Sequence, residues 1–229
     1  MAVESASSPP PAIPSFGLSL SQLILPEGGE LLLGADTGTY MSAVLAWIEP
    51  GDAGNIFILA EFPNYHYVGG EIELTGVSTP EWARGVVDVY RHFDRRASKV
   101  RGWVDPNSQF RQELMHYDLV LMANHRGLEL RVEIMREYMQ AGKIFFAPWL
   151  DVLPYEMENA RWPDQETIGG KFVREKRNDH TLDGIEHICS RRPRRRAIAQ
   201  ERTQSFLEKM LHQHRRPGLK SVDPHLGSL

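Results

Sequence analysis

The chain of 229 residues is 41% hydrophobic and 24% charged, with a formal net charge of −4. This composition is typical of a soluble globular protein and excludes collagen-like, fully disordered and membrane-embedded chains. No apolar run reaches the roughly 18 residues that a transmembrane helix needs, and the first residues lack the pattern of a secretory signal. A single cysteine, Cys189, cannot form an internal disulfide, so the cytosol is the expected compartment.

The charges are distributed unevenly along the chain. Residues 161–229 hold 15 Lys and Arg against 9 Asp and Glu, whereas residues 1–160 hold 11 against 21. The basic C-terminal third indicates a surface that faces a polyanion, and the acidic remainder of the chain indicates a supply of carboxylates for a metal. Chance segregation of charge is the alternative interpretation.

The N-terminal half of the chain predicts a tail followed by an antiparallel meander. Residues 1–28 are rich in Ser, Pro and Gly, as linkers and tails are. Three short apolar runs joined by short loops predict neighbouring antiparallel strands at residues 31–36, 40–47 and 55–61. A hairpin is expected over residues 65–74, which contain Gly69-Gly70.

From Ser78 onward, helices and strands alternate. Ser78-Thr79-Pro80-Glu81 has the features of a helix start, and apolar residues then recur at helical spacing up to Phe93. The strands expected after it are residues 100–105, 119–123, 143–147 and 169–174. The further helices expected are residues 109–116, 128–140, 152–161, 179–190 and 197–212. Alternation of this kind implies parallel pairing, so the predicted class is α/β, with a mixed sheet flanked by helices.

Two aspartates end predicted strands. Asp36 closes the first strand in Gly34-Ala-Asp-Thr-Gly, and Asp105 closes the strand that begins at Val100. Both positions also suit a turn or a helix cap. In an open α/β sheet, however, ligands bind beyond the strand ends, so a cleft lined by both carboxylates is the competing hypothesis.

The segment 178–184, Asn-Asp-His-Thr-Leu-Asp-Gly, supplies further acids at the start of a helix. Asp179 and Asp183 are four residues apart, which places them on one helix face, where like charges repel unless a cation compensates. His180 is expected near a metal rather than bound to it. Carboxylates suit Mg²⁺ or Mn²⁺, and two such ions about 3.5–4 Å apart can activate water and stabilise the leaving oxygen of a phosphodiester. Zinc is not favoured, because no Cys/His spacing is present.

The order of these elements resembles the ribonuclease H-like nuclease fold, and in detail the C-terminal nuclease domain of the large terminase subunit of tailed bacteriophages. The matching segments are GADTGTYMSAVLAW, NIFILAEFPNYHYVGG, VRGWVDPNSQFRQEL, AGKIFFAPWLDVLPYEMENARW and KRNDHTLDGIEHI. The resemblance implies a two-metal endonuclease that cuts concatemeric viral double-stranded DNA during packaging in the host cytoplasm. The implied partners are portal protein, small terminase subunit and an ATPase motor.

Carried over residue by residue, the resemblance implies that Asp36, Asp105 and Asp183 are the catalytic metal ligands. Asp179 is a further candidate ligand and His180 lies close by. Glu61 ends the third strand near the same edge. It is either an acid that lies beside the metals or an ordinary residue at the end of a strand.

Two features depart from the family pattern. No G-x-x-x-x-G-K-[ST] phosphate loop is present, so no ATPase is predicted in this chain. Gly184 replaces the alanine that often follows the third aspartate, which is expected to loosen the helix. The expected domains are residues 1–28 as linker or tail, 29–190 as nuclease and 191–229 as a basic helix and tail.

Basic residues cluster on both sides of the predicted helix 179–190 and predict a surface for the DNA backbone, with little base preference. They are Lys171, Arg174, Lys176, Arg177, Arg191, Arg192, Arg194, Arg195 and Arg196. A solvated linker or a contact to portal or another terminase subunit is the alternative. For the whole chain, the alternatives are a Holliday-junction resolvase or ribonuclease H-type nuclease on the same fold, or a non-catalytic module that binds DNA or portal.

Overall fold

The computed structural model describes residues 23–51, 54–108, 110–160 and 179–192. The strands are β1 (Glu30–Asp36), β2 (Ser42–Ile48), β3 (Ile56–Glu61), β4 (Tyr65–Val68), β5 (Glu71–Leu74), β6 (Val100–Val104), β7 (Leu119–Ala123) and β8 (Ile144–Phe146). The helices are α1 (Thr79–Phe93), α2 (Arg111–Leu114), α3 (Leu128–Gln140), α4 (Val152–Asn159) and α5 (His180–Cys189), and a 3₁₀ turn (Met115–Tyr117) follows α2.

Six of the strands form one mixed sheet in the order β7-β6-β1-β2-β3-β8, which confirms the predicted class. The meander β1-β2-β3 is antiparallel, and β6 and β7 are parallel to β1. The last strand, β8, is also parallel to its neighbour, but it pairs with β3 at the edge of the sheet opposite β7. The reason is that α3 packs with α5 on one face of the sheet and carries the chain across it.

Alternate side chains of the central strands enter two separate apolar layers, as the pleat of a strand requires. On one face, Leu33 packs in a cluster with Trp82 and Val86 of α1. On the other face, Leu32 packs in a cluster with Ile185 of α5. The sheet is therefore buried on both sides, and α5 lies over its centre.

Local signals placed several boundaries correctly. Ser78 is the N-cap of α1, and its backbone N–H donates to the Glu81 carboxylate over 3.0 Å. The β4-β5 hairpin turns through Gly69 and Gly70, which have φ angles of 59° and 89°. Two Gly residues at positive φ are what a tight two-residue hairpin turn requires.

Some predicted elements are shorter or lie elsewhere. The helix expected over 109–116 is a single α-turn, α2, followed by the 3₁₀ turn. The predicted strand 169–174 and helix 197–212 lie outside the described residues. Leu23, placed in the predicted N-terminal tail, is buried against the α1 layer. Within the described part of the chain, no helix has the length and apolar character needed to cross a membrane.

A pair of glycines sets how closely α5 approaches the sheet. A Cβ atom at Gly34 of β1 would lie 1.9 Å from the carbonyl oxygen of Gly184 in α5. A Cβ atom at Gly184 would lie 3.1 Å from the carbonyl oxygen of Gly34. Gly184 therefore allows close helix–strand contact, and the expected loosening of the helix by this glycine stays a prediction.

Candidate functional site

Asp36 and Asp105 lie at matching positions on neighbouring strands. In the parallel β1-β6 pair, Leu33 is opposite Gly102 and Gly34 is opposite Trp103. If this register is extended by two positions, to the residue just after β6, Asp36 comes opposite Asp105. Adjacent strands lie about 4.8 Å apart, so the two aspartates stand at the same edge of the sheet, at the ends of neighbouring strands.

The loops that follow these strands also touch each other. The hydroxyl of Thr37, one residue after β1, is hydrogen-bonded to the hydroxyl of Ser108 in the loop after β6. This contact joins the two loops directly beyond the aspartates.

Polar side chains on one side of helix α5 lie next to the ends of β1 and β6. His180, Asp183 and His187 are spaced at i, i+3 and i+7, which puts them on one side of a helix. His180 Nδ1 donates to Asp36 Oδ2 over 2.7 Å, and His187 Nε2 lies 4.0 Å from Asp105 Oδ1. Asp183 sits between the two histidines and is buried, with 3% of its surface exposed. The three predicted acids are therefore brought to one region by two strand ends and a helix.

The side chains of Asp36 and Asp105 are engaged by basic groups. Asp36 accepts the His180 hydrogen bond, and Arg131 Nη1 of α3 lies 2.5 Å from Asp105 Oδ1. Among the residues that the structure describes, no three His, Cys, Asp or Glu side chains are grouped tightly enough to hold a metal ion. Asp179 is the buried N-cap of α5, and its carbonyl accepts the backbone N–H of Asp183 over 2.9 Å.

The environment of His180 favours its protonated form. Burial by itself lowers the pKa of His180, but the hydrogen bond and charge of Asp36 outweigh it, with smaller contributions from Glu156 and Asp179. The net pKa is raised above the ordinary value of 6.5. Its ring also lies 5.4 Å from the ring of Tyr40, centroid to centroid. His180 can therefore act as a positively charged partner that orients Asp36.

A buried carboxylate that the sequence did not single out holds the start of α5. Glu156 of α4 is 1% exposed, and its Oε2 accepts the backbone N–H of Leu182 over 2.9 Å. Its Oε1 accepts the hydroxyls of Tyr65 and Tyr67 over 2.6 and 3.0 Å. Burial raises the pKa of Glu156 to about 7, although these hydrogen bonds oppose the rise.

A chain of hydroxyls extends this network to the sheet. Thr181 Oγ1 lies 2.8 Å from the Tyr65 hydroxyl and 2.7 Å from the Ser42 hydroxyl. Because Tyr65 donates to Glu156, Thr181 must donate to Tyr65 and Ser42 to Thr181. The first turn of α5 is thus fixed to β2, β4 and α4 by directed hydrogen bonds.

Glu61, predicted as an acid beside the metals or an ordinary strand-end residue, caps the N-terminus of α4. Its Oε1 accepts the backbone N–H groups of Asp151 and Val152 over 2.5 and 2.8 Å, and its Oε2 accepts that of Leu153 over 2.8 Å. The next residue, Pro154, has no N–H, so the carboxylate satisfies the amide groups that begin the helix. This geometry assigns Glu61 to the support of α4.

We expect Glu61→Ala to lower the free energy of unfolding by about 1–2 kcal/mol, the usual effect of losing a helix cap. Glu61→Gln should have a smaller effect, because its amide oxygen still accepts from the helix. Urea unfolding measures the free energy of unfolding of both variants. Glu71→Ala, which removes an exposed glutamate, is the control for the loss of a glutamate. An alanine variant as stable as the wild type would contradict the cap.

Two of the predicted DNA-binding arginines have intramolecular contacts. The Arg191 guanidinium carbon lies 3.8 Å from the ring centroid of Trp103 on β6, and Arg192 Nη2 donates to the carbonyl of Gly51 over 2.6 Å. These contacts anchor the chain just after α5. The other predicted basic residues lie outside the described residues, namely Lys171, Arg174, Lys176, Arg177, Arg194, Arg195 and Arg196.

Arg131 and Glu156 were missed from the sequence, although a signal for both is present. Arg131 stands four residues before Met135 and seven before Tyr138, both buried, so a charge occupies the apolar face of α3. Glu156 is likewise one turn after buried Leu153 on α4. A charged residue at an apolar position of a helix is the feature that indicates a buried ionic contact.

The fold is similar to that of solved phage terminases. The large terminase of a thermophilic bacteriophage matches with a TM-score of 0.54 at 14% identity, over 72% of this chain and 41% of that one. A second crystal form of that same terminase gives a TM-score of 0.50 at 14% identity, over 73% and 40%. The large terminase nuclease domain of Thermus phage P74-26 gives 0.49 at 12% identity, over 73% of this chain and 80% of that one.

No protein family model and no curated protein matches the sequence significantly. The chain spans about two fifths of the thermophilic phage terminase that it matches. At this low identity, the likeness is one of architecture. In its fold, the chain is similar to a region of the phage large terminase.

Proposed function

We propose that this chain is a metal-dependent endonuclease, the nuclease part of a phage large terminase, which cuts concatemeric viral double-stranded DNA during packaging. One observation carries the proposal: β1 and β6 are parallel neighbours, and α5 reaches the aspartates at the ends of both. His180 donates to Asp36 and His187 lies 4.0 Å from Asp105, with Asp183 between the two histidines along the helix. The fold likeness to the large terminase of the thermophilic bacteriophage supports the same role.

The residues at this edge fit a divalent cation by their chemistry. Three carboxylates are the hard oxygen donors that Mg²⁺ and Mn²⁺ favour. Asp36 and Asp105 already have positive partners, His180 and Arg131. In the present arrangement these partners compensate the carboxylates, and chelation requires at least one of the two contacts to loosen.

In the proposed mechanism, Asp36, Asp105 and Asp183 would hold two cations, with Asp179 as a further candidate ligand. When bound, such ions supply a nucleophile from water and stabilise the leaving oxygen. His180 orients the Asp36 carboxylate through its 2.7 Å hydrogen bond. Glu156 keeps the first turn of α5 in place.

The proposed role also names partners and a compartment. The basic residues that flank α5 would contact the DNA backbone, and cleavage would take place in the cytoplasm of an infected bacterium. Portal protein, the small terminase subunit and an ATPase motor on another segment or chain would complete the packaging machine.

We expect the chain to linearise plasmid DNA with Mn²⁺, and Asp183→Asn to reduce the rate at least about a hundredfold, since even outer partners of metal ligands contribute 10–100-fold. Glu158→Gln, which changes an exposed acid of α4, is the matched control. Cleavage by Asp183→Asn at the wild-type rate would reject the assignment. Branched DNA and an RNA–DNA hybrid offered beside duplex DNA separate this activity from those of a resolvase and a ribonuclease H.

A second candidate is a non-catalytic module that binds DNA or portal. It is favoured by the ion pairs that already compensate Asp36 and Asp105. Calorimetric titration with Mn²⁺ distinguishes the two candidates. If the chain is a nuclease, it binds Mn²⁺, and Asp36→Asn and Asp105→Asn each abolish this binding. If it is a non-catalytic module, no Mn²⁺ binding depends on these two residues.

A further inference from the structure

Arg131 is a buried cation directly behind the candidate site. Its side chain is 3% exposed, and its Nη1 lies 2.5 Å from Asp105 Oδ1. Asp105 is far more open, with 36% of its side chain exposed. The carboxylate therefore meets the guanidinium on its protein side and solvent on its other side.

Arg131 has few other ways to satisfy its charge. Its Nε is buried and has no hydrogen-bond partner among the described residues. A guanidinium cannot lose its proton in a protein, so the charge stays in place. A buried arginine of this kind depends on its carboxylate, because an uncompensated buried charge is strongly destabilising.

A histidine also lies close to Asp105. His187 Nε2 lies 4.0 Å from Asp105 Oδ1, and its Nδ1 lies 3.0 Å from the side-chain nitrogen of Asn124. Because that amide nitrogen donates, Nδ1 of a neutral His187 accepts and the ring proton sits on Nε2, toward Asp105. Arg131 and His187 thus each present a positive charge or a hydrogen-bond donor toward Asp105.

We propose that Arg131 is an internal counter-ion that competes with a divalent cation for Asp105 and so restrains metal loading. This inference rests on the proposed nuclease function, since it concerns the same site. A fixed positive charge within a few ångströms lowers the affinity of a carboxylate for a dication, because it repels the dication and already neutralises part of the carboxylate charge. The site accordingly rests at low metal occupancy until the Asp105–Arg131 contact is weakened.

The test is calorimetric titration of the full chain with Mn²⁺, alongside thermal unfolding in EDTA. We expect Arg131→Gln to bind Mn²⁺ about tenfold or more tightly than the wild type, because one nearby positive charge is removed. Arg131→Lys, which keeps the charge, should bind close to wild-type affinity. Arg136→Gln, which alters an exposed arginine of the same helix, should match the wild type. In EDTA, the melting temperature of Arg131→Gln should be lower than that of the wild type. Added Mn²⁺ should raise the melting temperature of this variant by more than it raises that of the wild type.

The outcomes separate the two proposals. If the wild type binds Mn²⁺ through Asp36 and Asp105 but Arg131→Gln binds equally or more weakly, the counter-ion inference is wrong and the nuclease proposal stands. If no variant shows binding that depends on these aspartates, both are wrong. Should Arg131→Gln not fold, Arg131→Met supplies an apolar stem of similar length, and the same tighter binding is required of it.

Discussion

Replacing Gly34 with alanine is expected to lower the free energy of unfolding by about 3 kcal/mol, the upper range for overpacking a tight core contact. The new methyl group would lie 1.9 Å from the Gly184 carbonyl oxygen and 2.8 Å from its carbonyl carbon. Both are backbone atoms of α5, so no side chain can rotate away. The helix would have to move off the sheet, and Asp183 would move with it.

Two further glycines make this prediction specific. Gly38→Ala places its methyl group in open space, with nothing within 4 Å, and should leave stability nearly unchanged. Gly184→Ala should be intermediate, because its 3.1 Å contacts with Gly34 and Val44 are offset by a gain in helix propensity of up to about 1 kcal/mol. Urea unfolding ranks the three variants, and a Gly34→Ala protein as stable as Gly38→Ala would disprove the close helix–strand contact.

The second large effect concerns pH and the buried Glu156. Its pKa is raised from 4.5 in the unfolded chain to about 7 in the fold, so the folded state binds the proton more tightly. The resulting stabilisation is complete below pH 4.5 and is lost as the pH rises through about 7. This difference of pKa corresponds to a loss of up to about 3 kcal/mol across that window.

Glu156→Gln should remove this dependence while keeping the size of the side chain. Because Glu61 and His180 also have raised pKa values, they change stability in the same direction, and the quantity to compare is the difference between variant and wild type. As the pH rises from 4.5 to 7, we expect the free energy of unfolding of Glu156→Gln to increase relative to that of the wild type. Glu158→Gln, on an exposed position of the same helix, should show no such shift, and parallel curves for wild type and Glu156→Gln would contradict the prediction.

The position of the candidate acids could be anticipated from strand endings. Asp36 is the last residue of β1, and Asp105 directly follows β6, as the runs of apolar residues before them indicate. Asp179 and Asp183 were placed correctly at the start of α5. Their roles as metal ligands stay predictions.

The sequence alone determined where most of the described strands, turns and helix starts lie, because these depend on side chains that are neighbours along the chain. Short apolar runs, Gly69-Gly70 and Ser78 with Glu81 act over a few residues. The tertiary structure decided that β1 lies beside β6, that Arg131 faces Asp105, and that Glu156 holds α5. Such contacts join segments far apart in sequence, and their energies depend on burial and distance, which exist only once the sheet and its two helical layers have packed.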